Sequence, residues 1–435
     1  METSAVGGTT FEKAGSLSSK QRKAVVAATL GSVVEYTDWV IYATFAPFFS
    51  KQFFPSSVES VSLLSTLAVF AVGFVMRPVG GAVLGAYADR KGRKKGLAFS
   101  VLLMAGSSLL IAICPAYDVI GFAAPILLLL ARLVQGFAAG GEFGSASTFL
   151  IESAAPSLRA FVGSWQHFAV NAGVLISALI GIALTTVFGP ANMAAWGWRI
   201  GFAIAGLMGG VALWVRLAVN ETDVFAREVE RKQNSRHPAI ELIRVHPRAA
   251  LRVIGIAMAG NLAIYEWLAF FPAFAHAKAK LPLHDGFVVN LISIGASLVA
   301  IPFIGRLADR VGRKPVLLVF AGSSALYAWP SLHYLTADFW TATVIATIGM
   351  LLSSGFAATC AAVMAEQFPA AVRATGVALP YAISAAVFGG TLPYFMVYML
   401  HSGASDFIWI YVAGVSLFGF AVYAAMPETR GKVLG

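Results

Sequence analysis

Gly85-Ala-Tyr-Ala-Asp89-Arg90-Lys91-Gly92-Arg93-Lys94 returns 220 residues later as Gly305-Arg-Leu-Ala-Asp309-Arg310-Val-Gly312-Arg313-Lys314. The same glycines, aspartate and basic cluster at the same spacing mark an internal duplication. A second pair of strings agrees. Glu152, Arg159 and Ala160 match Glu366, Arg373 and Ala374 at an offset of 214, with Pro156 and Pro369 one residue out of step. Each copy of the first loop joins the second and third apolar runs of its half, so the halves carry the same parts in the same order.

The composition says what kind of chain is duplicated. It has 435 residues, 58% hydrophobic and 12% charged, against about 25% charged in soluble domains. A water-soluble enzyme is excluded. Crossing a bilayer takes roughly 20 apolar residues per helix, and the windows 160–198, 315–337, 339–365, 374–405 and 407–427 contain no Asp, Glu, Lys or Arg at all. The 42 glycines suit close packing of membrane helices. The expected fold is therefore an all-α membrane protein. Splitting the runs at charges and turn signals predicts twelve spans, near 24–50, 58–88, 95–113, 121–151, 159–187, 197–219, 249–277, 285–308, 315–334, 339–365, 373–400 and 406–426. Several exceed the bilayer thickness, so tilt is expected.

The net charge of +10 reads as topology, not as nucleic-acid binding. Lys13, Lys20, Arg22 and Lys23, the 90–95 turn, the 220–252 stretch, the 310–314 turn, Arg430 and Lys432 all fall on one face. The other face holds only Lys51, Lys278 and Lys280. The rich face is expected to be cytoplasmic, with both termini on it and the first span uncleaved. The organisation expected is a tail at 1–23, a six-helix half at 24–219, a linker at 220–248, a second half at 249–426 and a tail at 427–435. The linker carries Arg227, Arg231, Lys232, Arg236, Arg244 and Arg248 and is expected to be plain and solvated. Cys114 and Cys360 lie in apolar runs and imply neither a disulfide framework nor a metal site. Two parallel six-helix repeats place a binding site at their interface near the midplane.

The doubled loop is the signature of the major facilitator superfamily, which this chain resembles. Four further strings sharpen the match: Gly31-Ser-Val-Val-Glu35-Tyr-Thr-Asp38-Trp39, Met76-Arg77-Pro78-Val-Gly80-Gly81, Ala131-Arg132-Leu-Val-Gln135-Gly136 running to Gly140-Gly141-Glu142, and Trp196-Gly197-Trp198-Arg199. Together they resemble the metabolite:proton symporters, a family that includes carriers of citrate, 2-oxoglutarate, shikimate and proline or betaine. Leu84-Gly-Ala-Tyr-Ala-Asp89 and Ser164-Trp165-Gln166 look most like the citrate carriers. Glu366-Gln-Phe-Pro369 through Phe388-Gly389-Gly390 looks more like the 2-oxoglutarate carrier. Span seven departs from both by placing Glu266 in Ile264-Tyr265-Glu266-Trp267. The resemblance implies a secondary transporter, not an enzyme, in a bacterial inner membrane. Its partners are the lipid bilayer and a small-molecule substrate; it needs no cofactor beyond the coupling proton, and works as a monomer.

Ionisable groups inside spans cost about 2.5–3.5 kcal/mol each, so each one calls for a reason. Glu35 and Asp38 are three apart on one helix face. Carboxylates this close disfavour each other's ionisation, which makes them the expected proton site; the alternative is a structural polar pair. Arg132 lies about 16 Å below the outer surface, near the depth of Asp38. Sugar porters of the superfamily pair a span-one Asp with a span-four Arg, and this resemblance implies an Asp38–Arg132 pair. Arg77 sits roughly 18 Å above the cytoplasmic end of span two, where a substrate carboxylate is its natural bidentate partner. Arg199 is shallower, and a snorkelling side chain competes with a substrate role. Resemblance to the 2-oxoglutarate carriers associates both arginines with an anionic substrate.

Gln166, His167 and Asn171 form a polar face on span five and are read as lining the cavity. A buried, hydrogen-bonded histidine is the alternative there. Tyr36, Trp39, Tyr42, Tyr265, Trp267 and Tyr381 are candidate aromatic lining, suited to a quaternary ammonium, or else plain packing. Glu142, among Gly140, Gly141 and Gly144, suggests a structural hydrogen bond. Glu266 is left open between proton loading and binding of a cationic group. Asp89, Arg90, Arg93, Glu152, Arg159, Asp309, Arg310, Arg313, Glu366 and Arg373 are expected to form a cytoplasmic gate of ion pairs that breaks for release.

There is no nucleotide-binding Gly-x-x-x-x-Gly-Lys-Ser/Thr loop and no His-x-x-x-His pair. The expected function is therefore proton-coupled import of a small organic acid by alternating access. The runner-up is symport of a zwitterionic osmolyte, with Arg77 and Glu266 serving its two ends. A channel fits the repeats less well.

Overall fold

The computed structural model describes residues 17–57, 59–218, 237–389 and 402–432, together with 221, 222, 225, 226, 392, 395, 396, 398, 399 and 434. Most of the expected N-terminal tail and the linker residues Arg227, Arg231, Lys232 and Arg236 lie outside them, as do several positions near the end of the eleventh span.

Among the described residues every regular element is helical. The first half comprises α1 (Ser19–Phe53), α2 (Glu59–Lys91), α3 (Arg93–Ile113), α4 (Ala123–Glu152), α5 (Arg159–Asn192) and α6 (Trp198–Leu217). The second begins with α7, built from Pro247–Ile264, a π-helical turn Tyr265–Phe270 and Phe271–Ala279. It continues with α8 (Leu283–Val311), α9 (Arg313–His333), α10 (Phe339–Ala365), α11 (Arg373–Ser384, continued by a π turn Ala385–Gly389) and α12 (Ile408–Ala425).

By length and hydropathy, eleven stretches qualify as membrane spans among the described residues, and one of these, Pro156–Leu217, runs 62 residues. At 1.5 Å per residue that is roughly three bilayer cores long, so it cannot be one crossing. Gly189, at φ 69°, and a π turn at Met193–Gly197 break it into α5 and α6, which restores twelve spans. The interior is glued by small residues. A Cβ on Gly140 of α4 would overlap the backbone carbonyl of Arg77 on α2, and one on Gly80 would overlap that of Phe137, so these helices meet backbone to backbone. Large apolar side chains such as Leu64, Val75, Phe303 and Leu326 point outward, as a lipid-facing surface requires.

The two halves repeat the same pairings. α1 packs on α5 and α6, α2 on α4, and α3 on α4 and α6; α7 packs on α11 and α12, α8 on α10, and α9 on α10 and α12. The halves then meet through α2 with α11 and α5 with α8, contacts that are each other's repeat equivalents. Gly92 and Gly312 are the single residues joining α2 to α3 and α8 to α9, at φ 112° and 110°. Only glycine takes that conformation without strain, which accounts for the second glycine of each motif loop.

The plain solvated linker is corrected in its last part. Pro238–Val245 forms a short helix with Pro at its first position. Its Leu242 is buried in the core of the second half, which pins the chain against α2 and α11.

Candidate functional site

Arg77 stands where the halves meet. The α2–α4 backbone contact at Gly140 fixes its helix, and its guanidinium lies 4.3 Å from the ring centre of Trp39 and 4.4 Å from that of Phe74. Its Nη1 donates to the Tyr265 hydroxyl on α7 at 3.1 Å, and its Nε has no partner. Among the described residues no carboxylate comes within ion-pair distance of it. Tyr36 and Tyr381 complete the surround, with Tyr381 stacked on Phe143 at 3.7 Å between centroids. A buried cation ringed by aromatic faces and hydroxyls, with spare N–H donors, is matched to a planar oxyanion.

Asp38 lies deeper in the first half. Its carboxylate accepts from the Ser108 hydroxyl on α3 and from Gln135 Nε2 at 3.4 Å. Gln135 Oε1 in turn accepts from Arg132 Nη1 at 2.6 Å. The direct Asp38–Arg132 pair is therefore corrected to a relay through Gln135. Arg132 is held by rings, 4.3 Å from the centres of both Trp39 and Tyr42 and 4.8 Å from Phe70.

The Glu35–Asp38 pair is also corrected. Asp38 turns toward Ser108 of α3 and Gln135 of α4, whereas Glu35 turns toward Glu142. Glu142 is more than a structural hydrogen bond: Arg216 of α6 reaches it at 2.5 and 3.1 Å, and Ser32 donates to it at 3.0 Å.

The span-five residues separate. Gln166 approaches Ser32 at 3.5 Å and belongs with the Glu142 group. His167 is buried, its Nδ1 3.2 Å from Cys360 Sγ on α10, between Phe143 and Phe356. Asn171 donates to Ser297 of α8 at 2.8 Å. The last two hold the α5 side of the junction between halves, so the reading of all three as cavity lining is corrected. Arg199 is corrected as well: it donates to the carbonyls of Ala112 and Cys114 at 3.0 and 2.6 Å, capping the end of α3, while its guanidinium covers Trp198 at 4.3 Å. Orphan carbonyls at a helix end need such donors, and Arg199 Nη1 supplies them.

Glu266 does not share the Arg77 site. Tyr265 faces Arg77, and Glu266, the next residue of the π turn, leaves the helix in another direction. Glu266 instead lines a narrow pocket of the second half, with Ser324, Tyr327 and Ser416.

At the end that carries the motif loops, eight of the ten expected gate residues come together. Asp89 accepts the N–H groups of Ala374 and Thr375 at 3.0 and 2.8 Å and the Thr375 hydroxyl at 2.6 Å, so it caps α11 of the other half. Asp309 does the same to α5, accepting from Ala160 and Phe161 at 2.9 Å each. Helix N-termini favour a negative charge. Glu152 binds Arg93 of its own half at 3.1 Å and Arg373 of the other at 2.7 Å. Glu366 faces Arg313 at 3.5 Å and Arg159 across the junction at 3.7 Å. Arg90 and Arg310 are exposed and stand outside this network.

Sequence reasoning missed two clamps. Glu221 accepts the Lys94 N–H at 3.1 Å, and Glu428 accepts those of Arg313 and Lys314 at 3.1 and 2.9 Å. Lys94 and Lys314 then reach back to the carbonyls of Leu217 and Ala424 at 2.7 and 2.6 Å. The available signal was a Glu-Thr pair after the last helix of each half, Glu221-Thr222 and Glu428-Thr429. Burial pushes the Glu221 carboxyl up. Burial acts the same way on Glu428, but the N–H groups of Lys314, Arg430, Arg313 and Thr429 outweigh it and leave that carboxyl below its ordinary value. Ser108 and Arg216 carried no signal at all.

Comparison with known proteins bears on this arrangement. The sequence model described as Major Facilitator Superfamily matches residues 28–379. The alpha-ketoglutarate permease of Escherichia coli (strain K12) is 33% identical over 94% of each chain. The citrate-proton symporter of Salmonella typhi is 33% identical over 85% of each. The proline/betaine transporter of Escherichia coli (strain K12) is also 33% identical, over 95% of this chain and 85% of its own. Among solved structures, a proton:xylose symporter superposes with a TM-score of 0.76 over 96% of this chain and 98% of its own, at 16% identity.

Proposed function

Because the chain belongs to the Major Facilitator Superfamily, a transporter family and not one of enzymes, we propose that it is a proton-coupled symporter importing a small di- or tricarboxylate of the 2-oxoglutarate or citrate kind by alternating access. The observation that carries this reading is Arg77: a buried guanidinium at the junction of the halves, with an unpartnered Nε and, among the described residues, no carboxylate within ion-pair distance. Left alone at that depth it is costly, and a substrate carboxylate relieves the cost by a bidentate pair.

The membrane is a bacterial inner membrane, the motif loops face the cytoplasm and a single chain suffices. The coupling proton is carried by carboxyls of the first half, Asp38 among them. The Asp89 and Asp309 caps with the Glu152 and Glu366 pairs close the cytoplasmic side while Arg77 is reached from outside. They part when the halves rock, and substrate and proton leave inward.

A second reading has one observation in its favour. Trp39, Phe74, Tyr36, Tyr265 and Tyr381 around Arg77 form a surface that also suits a quaternary ammonium, and a proline/betaine transporter is as similar as the carboxylate carriers. Uptake of labelled 2-oxoglutarate, citrate and betaine into proteoliposomes, with and without an acid-outside gradient, separates the two. Gradient-driven accumulation of an acid supports the proposal, accumulation of betaine alone replaces it with the second reading, and accumulation indifferent to the gradient removes the proton.

A further inference from the structure

Glu35, Glu142 and Arg216 form a buried group that the transport reading does not itself require. Arg216 binds both oxygens of Glu142, at 2.5 and 3.1 Å, and also the carbonyl of Leu97 at 2.9 Å. It reaches them across α1 at Gly31, where any Cβ would overlap the guanidinium. Ser32 adds a hydroxyl donor to Glu142 Oε1 at 3.0 Å. One helical turn from Gly31, Glu35 brings a second carboxyl within hydrogen-bonding reach of Glu142, and Glu35 Oε2 is buried without any donor on it. Two carboxylate oxygens make such a contact only with a proton between them.

The charges around the group are few. Arg216 from α6 is already committed to Glu142. Arg77 from α2 acts on Glu35 from the substrate side without an ion-pair contact. α5 contributes neutral Gln166, whose Nε2 is unpartnered, α3 contributes a backbone carbonyl, and α1 itself contributes the Tyr36 phenol. With two carboxyls, one committed guanidinium and all of them buried, an uncompensated negative charge remains unless a proton is present.

We infer that Glu35 and Glu142 share one proton, and that this pair, one step from Arg77, is a coupling site of the carrier. This rests on the proposed symport for its purpose. With Arg77 unoccupied, its positive charge favours ionised Glu35. A substrate carboxylate on Arg77 cancels that charge and favours the shared proton, so anion and proton bind each other's form, and by linkage each promotes the other equally. That is the sign symport needs.

The test is infrared spectroscopy of the full chain in lipid nanodiscs, reading protonated-carboxyl carbonyl bands that shift in deuterium oxide. One band is expected to vanish in Glu35→Gln and equally in Glu142→Gln, because each substitution leaves a single carboxylate facing Arg216, which ionises. A band that survives either substitution, or is lost in only one, overturns the shared proton. Should either variant fail to fold, isotopic labelling of glutamate side-chain carboxyls in the unmodified protein must move the band, and a band that labelling leaves in place overturns it. Gradient-driven uptake that persists in Glu35→Gln removes the pair from coupling. A shared proton found alongside uptake that ignores the gradient would instead remove the symport reading and leave the pair standing.

Discussion

Glu152 accepts from Arg373 across the junction of the halves at 2.7 Å, while its repeat counterpart Glu366 stands 3.7 Å from Arg159. The duplicated sequence thus builds a gate that is symmetric in parts and unequal in strength. Removing one partner of a buried ion pair costs about 3–5 kcal/mol because the other charge is stranded. Glu152→Gln removes the one carboxylate that bridges Arg93 of its own half to Arg373 of the other. It is expected to speed hydrogen exchange at residues 370–376 and to destabilise the chain more than Glu366→Gln does. Equal effects of the two substitutions would show that the short contact carries no extra weight.

Gly140 has no room for a methyl group, since its Cβ would overlap the carbonyl of Arg77. Gly140→Ala must therefore push α2 away from α4, at about 1–3 kcal/mol for an overpacked site. Uptake is expected to fall with it, because the displaced residue is the proposed substrate ligand. Gly106→Ala, with nothing within 4 Å of its Cβ, is the control and should transport normally. Normal transport by Gly140→Ala would sever the link between the helix contact and the site.

What was legible in the sequence follows from what repeats. The twelve spans were visible because bilayer thickness sets a length, and the Asp89 and Asp309 loops because duplication printed them twice. The direction of a side chain around a helix was not visible. Glu35 and Asp38, three apart, share a face in projection, yet they end on different neighbours because Ser108 on α3 claims Asp38 while Glu142 on α4, itself held by Arg216, claims Glu35. Arg199 resembled a substrate ligand by motif, but the carbonyls that end α3 lie within its reach, and nothing in a one-dimensional string places them there. Glu221 and Glu428 were overlooked because a lone Glu after a span looks like ordinary solvated charge.

Arg77 and Arg199 should respond differently to substitution. Arg77→Ala is expected to abolish carboxylate uptake, and Arg77→Lys to keep little of it, because an ammonium keeps the charge but loses the planar fork. Arg199→Ala should lower the melting temperature and leave KM unchanged, since it removes only a cap on α3. A raised KM in Arg199→Ala would restore it to the substrate site.

The two Glu clamps should have opposite pH responses. Glu428 has a folded pKa below its ordinary value. Its contribution is therefore full above about 4.3, the usual glutamate value, and is lost as pH falls through the lowered one. Glu221 has a raised one, so its contribution is full below the ordinary value and is lost as pH rises through the raised value. Melting temperatures across pH check this against Glu428→Gln and Glu221→Gln. The advantage of the unmodified protein over Glu428→Gln should shrink in acid, and its advantage over Glu221→Gln should shrink toward neutrality. Parallel profiles would contradict the environments described for the two clamps.

Glu266 tests the substrate class from the other direction. It leaves the helix about a quarter turn from Tyr265. Tyr265 touches Arg77, whereas Glu266 lines a separate space with Ser324, Tyr327 and Ser416. A substrate held by Arg77 therefore does not reach it with a second end. Glu266→Gln is expected to leave 2-oxoglutarate or citrate uptake and its KM within about twofold of the unmodified protein, less than the tenfold that about 1.4 kcal/mol of lost binding would produce. If the substrate is instead a zwitterion whose cationic end depends on this carboxylate, the same substitution abolishes betaine or proline uptake. Loss of gradient-driven accumulation with substrate exchange preserved would make Glu266 a proton carrier of the second half.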